Sequence, residues 1–335
     1  MSGIEHNYDL SERNTFRMKV RCNTFVEYES SKELLSLDFD SLPKPWLHIG
    51  AGSNLLFTGD FPGTVFHSAI KYIKYVDMGL DEVLITAGAG VTLDDLVKET
   101  ADYGLWGLEN LSMIPGEVGA AAVQNVGAYG VEAKDAIAGV VCYDIQTKSK
   151  KVLKTQECNY AYRDSVFKQE KGRYIITSVL FRLTRKYSPK IEYKGLAEAL
   201  QQHPQLTPSL VREAVMDIRR RKLPDPAEIG SAGSFFKNPI VGGAQFAAIC
   251  QGYDTVPHYI LDGGFVKVPA AWMIEQCGFK GATQGGAAVY EKQPLVIVNA
   301  SGNATPQDIT TLEERIISAV RQRFGVELHP EVEHI

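Results

Sequence analysis

Residues 114–130 read Ile-Pro-Gly-Glu-Val-Gly-Ala-Ala-Ala-Val-Gln-Asn-Val-Gly-Ala-Tyr-Gly. So little side-chain volume constrains the fold strongly, because something else must lie close against this backbone. Pro115-Gly116 breaks the preceding element and can start a short Ala-rich helix, whose free N–H groups favour a phosphate. The small residues then let a flat ligand lie against the main chain, and Tyr129 can stack or hydrogen-bond. Close packing of a helix on a sheet selects the same residues. The number of small residues, together with the amides Gln124 and Asn125, tips the balance toward a ligand.

A second tract, Gly50-Ala51-Gly52-Ser53-Asn54-Leu55, follows a short apolar run. Glycines here would admit a pyrophosphate to the backbone, and Ser53 and Asn54 can donate side-chain hydrogen bonds. A plain tight turn uses the same residues. A Rossmann unit is excluded, because Phe57-Thr58-Gly59-Asp60 continues as turn and strand where a helix would be needed.

The chain is long enough for two or three domains, at 335 residues. Its net charge of −5 argues against nucleic acid as a partner, while leaving room for a local basic pocket. Five cysteines without a C-x-x-C pair point to reduced thiols, and seven histidines without an H-x-x-x-H pair give no metal site. The first twenty residues are polar and charged, and no apolar run approaches the ~20 residues of a membrane span. A cytoplasmic protein with no membrane partner is expected.

Strands are expected at 46–49, 64–70, 73–78 and 83–87, then a helix capped by Thr92 and ended by Gly104. A hairpin with strands 140–144 and 152–154 around the turn 146–150 precedes an alternating strand at 174–183. Thr207-Pro208 opens a helix with Val211, Val215 and Ile218 on one face, stopped by Lys222-Leu223-Pro224-Asp225-Pro226, the best candidate for a domain boundary. Residues 269–277 form a short helix. Thr305-Pro306 opens a long one with Ile309, Leu312, Ile316, Val320 and Phe324 at helical spacing, ended by Gly325. The class is α+β.

Three further segments could carry chemistry. Tyr160-Ala161-Tyr162-Arg163-Asp164-Ser165-Val166-Phe167 sets an arginine among aromatics, as an Arg–Asp surface pair or as a guanidinium aimed at a carboxylate. Gly233-Ser234-Phe235-Phe236-Lys237-Asn238-Pro239 is no nucleophile elbow, because Phe236 stands where a glycine is needed. Ser234 alone reads as a turn serine. His329-Pro330-Glu331-Val332-Glu333 reads as a solvated acidic edge.

Taken in order, GAGSN, IPGEVGAAAVQNVGAYG, YAYRDSVFK, RRRKLPDP, GSAGSFFKNP, KVPAAWMIEQCG, GGAAVY and HPEV resemble the signature blocks of the UDP-N-acetylenolpyruvoylglucosamine reductases, from about Thr15 to Glu331. The resemblance implies a vanillyl-alcohol-oxidase-like, two-part FAD-binding region plus a smaller α+β substrate-binding domain. The parts would be 1–75, with 326–335 returning to it, then 76–222, then 223–325. It implies non-covalent FAD held by Gly50, Ala51, Gly52, Ser53, Asn54, Leu55, Pro115, Gly116, Gly119, Ala120, Val123, Gln124, Gly127, Tyr129 and Arg219, with NADPH as hydride donor. Arg163, Ser234 and Glu331 match catalytic positions, and Tyr193, Lys222, Asn238, Tyr259, Lys280 and Gln293 match positions that bind the UDP-sugar.

Ile191-Glu192-Tyr193-Lys194-Gly195 resembles the subgroup with a substrate-closing tyrosine loop. Within this reading Arg163 and a protonated Glu331 stabilise an enolate, and Ser234, helped by Lys237, gives a proton to carbon. A monomer is expected. One position departs from the family: Glu333 stands where an arginine is often found near the FAD phosphates. A related flavoprotein with another substrate, or a non-catalytic UDP-sugar sensor, are the competing readings.

Overall fold

A computed structural model describes residues 3–335, and the chain divides into two compact units. The first holds the residues up to Tyr8, Cys22–Ala51 and Phe61–Arg221; the second holds Asp9–Arg21, Gly52–Asp60 and Lys222–Ile335.

In the first unit a four-stranded sheet runs in the order Gly3–Asp9, Arg21–Tyr28, Phe61–Ser68, Trp46–Ile49, and the last three strands pair in parallel. The first two strands were not expected. Gly3–Asp9 is exposed almost throughout, and Arg21–Tyr28 buries the polar Thr24, so neither shows the apolar alternation that marks a strand. A second, antiparallel sheet runs Ser149–Lys154, Ile137–Asp144, Tyr174–Thr184, Glu82–Gly88, Ile73–Gly79. Asp144 pairs directly with Ser149, so the hairpin turn is shorter than the expected 146–150.

The helix Leu93–Asp102 buries Leu93, Leu96, Val97 and Ala101, each fully buried leucine stabilising the unit by about 1.5–3 kcal/mol. Thr92 precedes it without a side-chain cap bond, its backbone instead bridging to Glu117. The helix Pro208–Lys222 packs Val211, Val215 and Ile218 against Trp106, Leu196, Leu200 and Leu206. Short helices at Ser31–Ser36 and Val166–Gln169 add to those expected, and the helix expected to begin near Leu196 runs Lys194–Leu200.

In the second unit the strands Gly230–Ser234, Val296–Asn299, Ala287–Val289 and Thr283–Gln284 form an antiparallel sheet. The helix Pro306–Phe324 buries Ile309, Leu312, Ile316, Val320 and Phe324. Thr305 and Asp308 cap it reciprocally, and Gly325 closes it in the left-handed conformation at φ +65°. A three-stranded sheet runs Ile240–Gly242, Phe265–Lys267, Tyr259–Ile260, preceded in sequence by the unexpected helix Gly243–Cys250 for its last two strands. That helix buries Ile249 alone, too little to show a periodic face.

The acidic C-terminal stretch is not a solvated edge. Val332 is buried, Glu333 and His334 pair in parallel with Leu55 and Leu56, and the Thr58 N–H donates to Ile335 O at 2.9 Å. Among the described residues no helix is long and apolar enough to cross a membrane.

Candidate active site

The small-residue tract of the first unit folds as the helix Val118–Gln124, after Gly116 at φ +124°. Its start differs from the sequence expectation. The Val118 N–H donates to Val91 O and the Gly119 N–H to Ala89 O, both at 2.9 Å, so these two amides are not free for a phosphate. Gly119 is small because a Cβ there would lie 2.9 Å from the Ala89 Cβ, which is helix–sheet packing. Ala120, by contrast, stays half-buried and faces Gly50: a Cβ on Gly50 would come within 3.1 Å of the Ala120 Cβ and 3.2 Å of Glu117 Oε2.

The helix ends at buried Asn125, left-handed at φ +45°, whose amide donates to Ala161 O at 2.9 Å and to Glu132 Oε2 at 3.0 Å. The YAYRDSVFK segment then grips the same end. Arg163 Nη2 donates to Gly127 O at 2.6 Å and Nη1 to Asn125 O at 3.4 Å, Ser165 Oγ donates to Val123 O at 2.6 Å, and Lys168 Nζ donates to Gln124 Oε1 at 3.0 Å. Of the two sequence readings of Arg163, its guanidinium is thus seen on the carbonyls of the tract, while Asp164 accepts from the Gln169 amide and the Ser165 N–H.

Tyr129 is left-handed at φ +50°, and its ring meets Tyr193 edge-on with centroids 5.2 Å apart. Arg219 lies beside the Tyr129 hydroxyl; burial lowers the arginine's pKa and raises the tyrosine's. Arg219 Nε is buried with no hydrogen-bond partner. A buried cation with an unused N–H costs free energy unless an acceptor arrives.

Two groups missed from sequence sit close by. Glu117 Oε1 is 2.9 Å from His67 Nε2, and His67 Nδ1 is 2.7 Å from Glu27 Oε2. Buried Asn110 donates to Tyr129 O at 2.9 Å and Lys190 O at 2.7 Å. An amide flanked by Leu108 and Leu111 was the available signal for the second; the first has none, its members lying 40 and 50 positions apart.

In the second unit, Gly52 is left-handed at φ +63° and packs on the backbone of Arg13 and Asn14. Asn54 donates to Glu331 O at 3.0 Å and its carbonyl accepts from the Glu333 N–H at 2.9 Å. Ser234 ends its strand after a register shift that follows Ser231, with Gly233 at φ +71°. Such a bulge re-aims the side chain that follows it. The next residue, Phe235, accepts from the Glu331 N–H at 2.8 Å, and the Lys237 N–H donates to His329 O at 2.9 Å. Ser53–Leu55, Ser234 and Glu331 are therefore brought onto adjoining backbone.

The remaining candidates are more dispersed. Asn238 Oδ1 accepts from the Ala270 N–H at 2.9 Å and so holds the start of the helix Ala270–Gln276. Tyr259 is half-exposed, with Lys267 Nζ 5.4 Å from its ring centre, a cation the sequence reading passed over although the hairpin register pairs the two. Lys222 is exposed, Gln293 forms a turn with Tyr290 and Val296, and Lys280 is paired with Glu275 at 2.9 Å.

Residues 225–335 match the family model described as UDP-N-acetylenolpyruvoylglucosamine reductase, C-terminal domain, and residues 39–146 match the FAD binding domain. A UDP-N-acetylenolpyruvoylglucosamine reductase of Bacteroides fragilis is 45% identical over 99% of this chain and 100% of its own length. The chain belongs to the UDP-N-acetylenolpyruvoylglucosamine reductase family. A Neisseria meningitidis member is 43% identical, over 99% of this chain and 97% of the relative. The crystal structure of the reductase from Thermus caldophilus superposes with a TM-score of 0.70 at 25% identity, over 100% of this chain and 99% of that one.

The expected α+β flavoprotein fold is thereby borne out. The first unit of this reductase-family chain also fits FAD on its own terms. It offers the buried Nε of Arg219 without an acceptor, a backbone at Gly50 that a side chain would crowd, and the ring of Tyr129.

Proposed function

We propose that the chain reduces the enolpyruvyl group of UDP-N-acetylenolpyruvoylglucosamine to UDP-N-acetylmuramate, in peptidoglycan precursor synthesis, using NADPH and non-covalent FAD. The observation that carries this is the 45% identity to the Bacteroides fragilis reductase from end to end. FAD, when bound, supplies hydride transfer from NADPH to the enolpyruvyl double bond. Gly50–Leu55, residues 114–130 and Arg219 hold it. The division into 1–75 with 326–335, 76–222 and 223–325, a monomeric state and a cytoplasmic location complete the proposal.

Arg163 meets the negative charge that grows toward the substrate carboxylate. Its guanidinium is already fixed on two carbonyls, and a donor oriented beforehand needs no reorganisation as charge develops. Ser234 gives the proton to carbon, and the bulge before it supports that role by directing its side chain away from regular pleating. Glu331, whose N–H donates to the carbonyl of Phe235, the residue after Ser234, assists. Tyr193, Lys222, Asn238, Tyr259, Lys280 and Gln293 bind the UDP-sugar.

The test is Ser234→Ala in two separate stopped-flow mixings. Flavin reduction by NADPH needs no acid here and should proceed at close to the parent rate. Reoxidation by the enolpyruvyl sugar should slow by roughly 10²–10⁴-fold, the usual value of general-acid help. Equal slowing of both mixings, or of neither, would remove Ser234 from the chemistry.

A further inference from the structure

Residues 185–193 run without regular structure from the strand Tyr174–Thr184 to the helix Lys194–Leu200. A segment of this kind has no ladder to satisfy its backbone, so side chains from elsewhere must fix its path. Three contacts within the first unit do so. Tyr187 packs edge-on against buried Trp106, with ring centroids 5.5 Å apart, and Tyr193 packs edge-on against Tyr129. Between them, Asn110 donates to Lys190 O.

Asn110 is 1% exposed, and it spends both bonds of its one amide nitrogen on carbonyls from separate stretches, Tyr129 and Lys190. Tyr129 is itself in the left-handed conformation, which a non-glycine residue keeps only when its surroundings over-determine it. Capturing its carbonyl is such a constraint, and it fixes the direction in which the ring leaves the chain. The preceding residue, Glu109, accepts from the Gly107 N–H at 2.7 Å and so fixes the turn that carries Asn110.

We infer that Asn110 is a positioning residue for Tyr193, clamping the base of the Tyr193 segment to the end of the small-residue tract. This rests on the reading of Tyr193 as a UDP-sugar contact. Both bonds are donated by the amide, so the chemistry requires an NH₂ group: a carboxylate of the same shape would face two carbonyl oxygens with nothing to give.

The experiment compares the FAD-loaded parent with Asn110→Asp, the milder Asn110→Ser, and Tyr193→Phe. Backbone hydrogen–deuterium exchange is followed without UDP-sugar, alongside both half-reactions. Asn110→Asp should keep its FAD and its NADPH half-reaction. It should raise exchange in 187–193 about tenfold while 118–124 stays protected, and raise the KM for the UDP-sugar about 5–30-fold with kcat near the parent value, the scale of one or two lost hydrogen bonds. Asn110→Ser, keeping one donor, should fall between. Unchanged exchange in 187–193 would overturn the clamp, as would loss of folding or of protection throughout in both variants, which would make Asn110 a general core residue. Raised exchange with no effect on KM, in Asn110→Asp and Tyr193→Phe alike, would leave the clamp standing and instead refute Tyr193 as a substrate contact.

Discussion

Gly50 and Gly52 look equivalent in the sequence, and alanine substitution should separate them. Gly52 is buried at φ +63°, and an added Cβ would fall 2.8 Å from Asn14 Cα and 3.0 Å from the Arg13 carbonyl carbon, with the Arg13 oxygen nearer still. The left-handed conformation costs an L-residue about 1–2 kcal/mol. Forcing backbone from backbone adds about 1–3 kcal/mol, as in overpacked cores. The combined loss of roughly 2–5 kcal/mol is a large part of the 5–15 kcal/mol that keeps a domain folded. At Gly50 the new Cβ meets no backbone atom and is short by only a few tenths of an ångström, with the Ala120 Cβ at 3.1 Å and a carboxylate oxygen of Glu117 at 3.2 Å, so the cost is about 1 kcal/mol.

Urea denaturation measures the difference. With a slope of about 2 kcal/mol/M, Gly52→Ala should lower the midpoint by roughly 1–2.5 M and Gly50→Ala by about 0.5 M. Trp272 fluorescence reports on the unit that contains Gly52. Bound flavin, measured on the same samples, should fall in Gly50→Ala out of proportion to its midpoint, because that glycine borders the proposed cradle. A Gly52→Ala midpoint within 0.5 M of the parent would show that the turn tolerates a side chain and would refute the packing account.

Two further substitutions test the elements around these sites. His334 Nε2 lies 2.8 Å from Glu313 Oε2, and that bond raises the imidazole pKa; the raised value stabilises the fold below the unfolded pKa of about 6.5 and is lost as pH rises through the folded value. His334→Gln should therefore lose more urea stability relative to the parent at pH 5.5 than at pH 9, and equal losses would discount the pair. Leu80, 99% exposed at φ +51°, and Asp81 at φ +67° form the hairpin turn between Ile73–Gly79 and Glu82–Gly88. Leu80→Asn should stabilise by about 1 kcal/mol and raise Tm by about 2–4 °C, since asparagine accepts this conformation more readily; an unchanged Tm in a thermal scan would refute it.

Helices with apolar stripes and caps were legible before any coordinates. Thr305, Pro306 and Gly325 bound the long C-terminal helix as read, because capping is local chemistry that neighbouring residues decide. The N-terminal strands were not legible. Arg21–Tyr28 takes its place from pairing with Phe61–Ser68, and nothing near Cys22 in sequence reports a partner forty residues on. The catalytic candidates were named only through the ordered motif blocks. Taken singly, Ser234 is a turn serine, and the bulge that re-aims it depends on its register with Val296, sixty positions away.

Glu117 shows the same limit at the cofactor tract. A carboxylate at the start of a helix argues against an anion there, and the sequence gives no reason to discount it. In the fold its Oε1 is held by His67, which also reaches Glu27, while neighbouring His48, pushed down to about 3 by burial and by the His67 ring, stays neutral and takes part in a 2.6 Å hydrogen bond with the Tyr28 hydroxyl. The first two amides of the helix are bonded to Val91 and Ala89. With those two amides taken, the helix start offers a phosphate less than an open helix N-terminus would. The proposed contact with the FAD phosphates is better served by a group whose donor is still open. Arg219, its Nε buried and unpartnered, is such a group, and it lies on the helix Pro208–Lys222 about ninety positions beyond the tract that first suggested a phosphate.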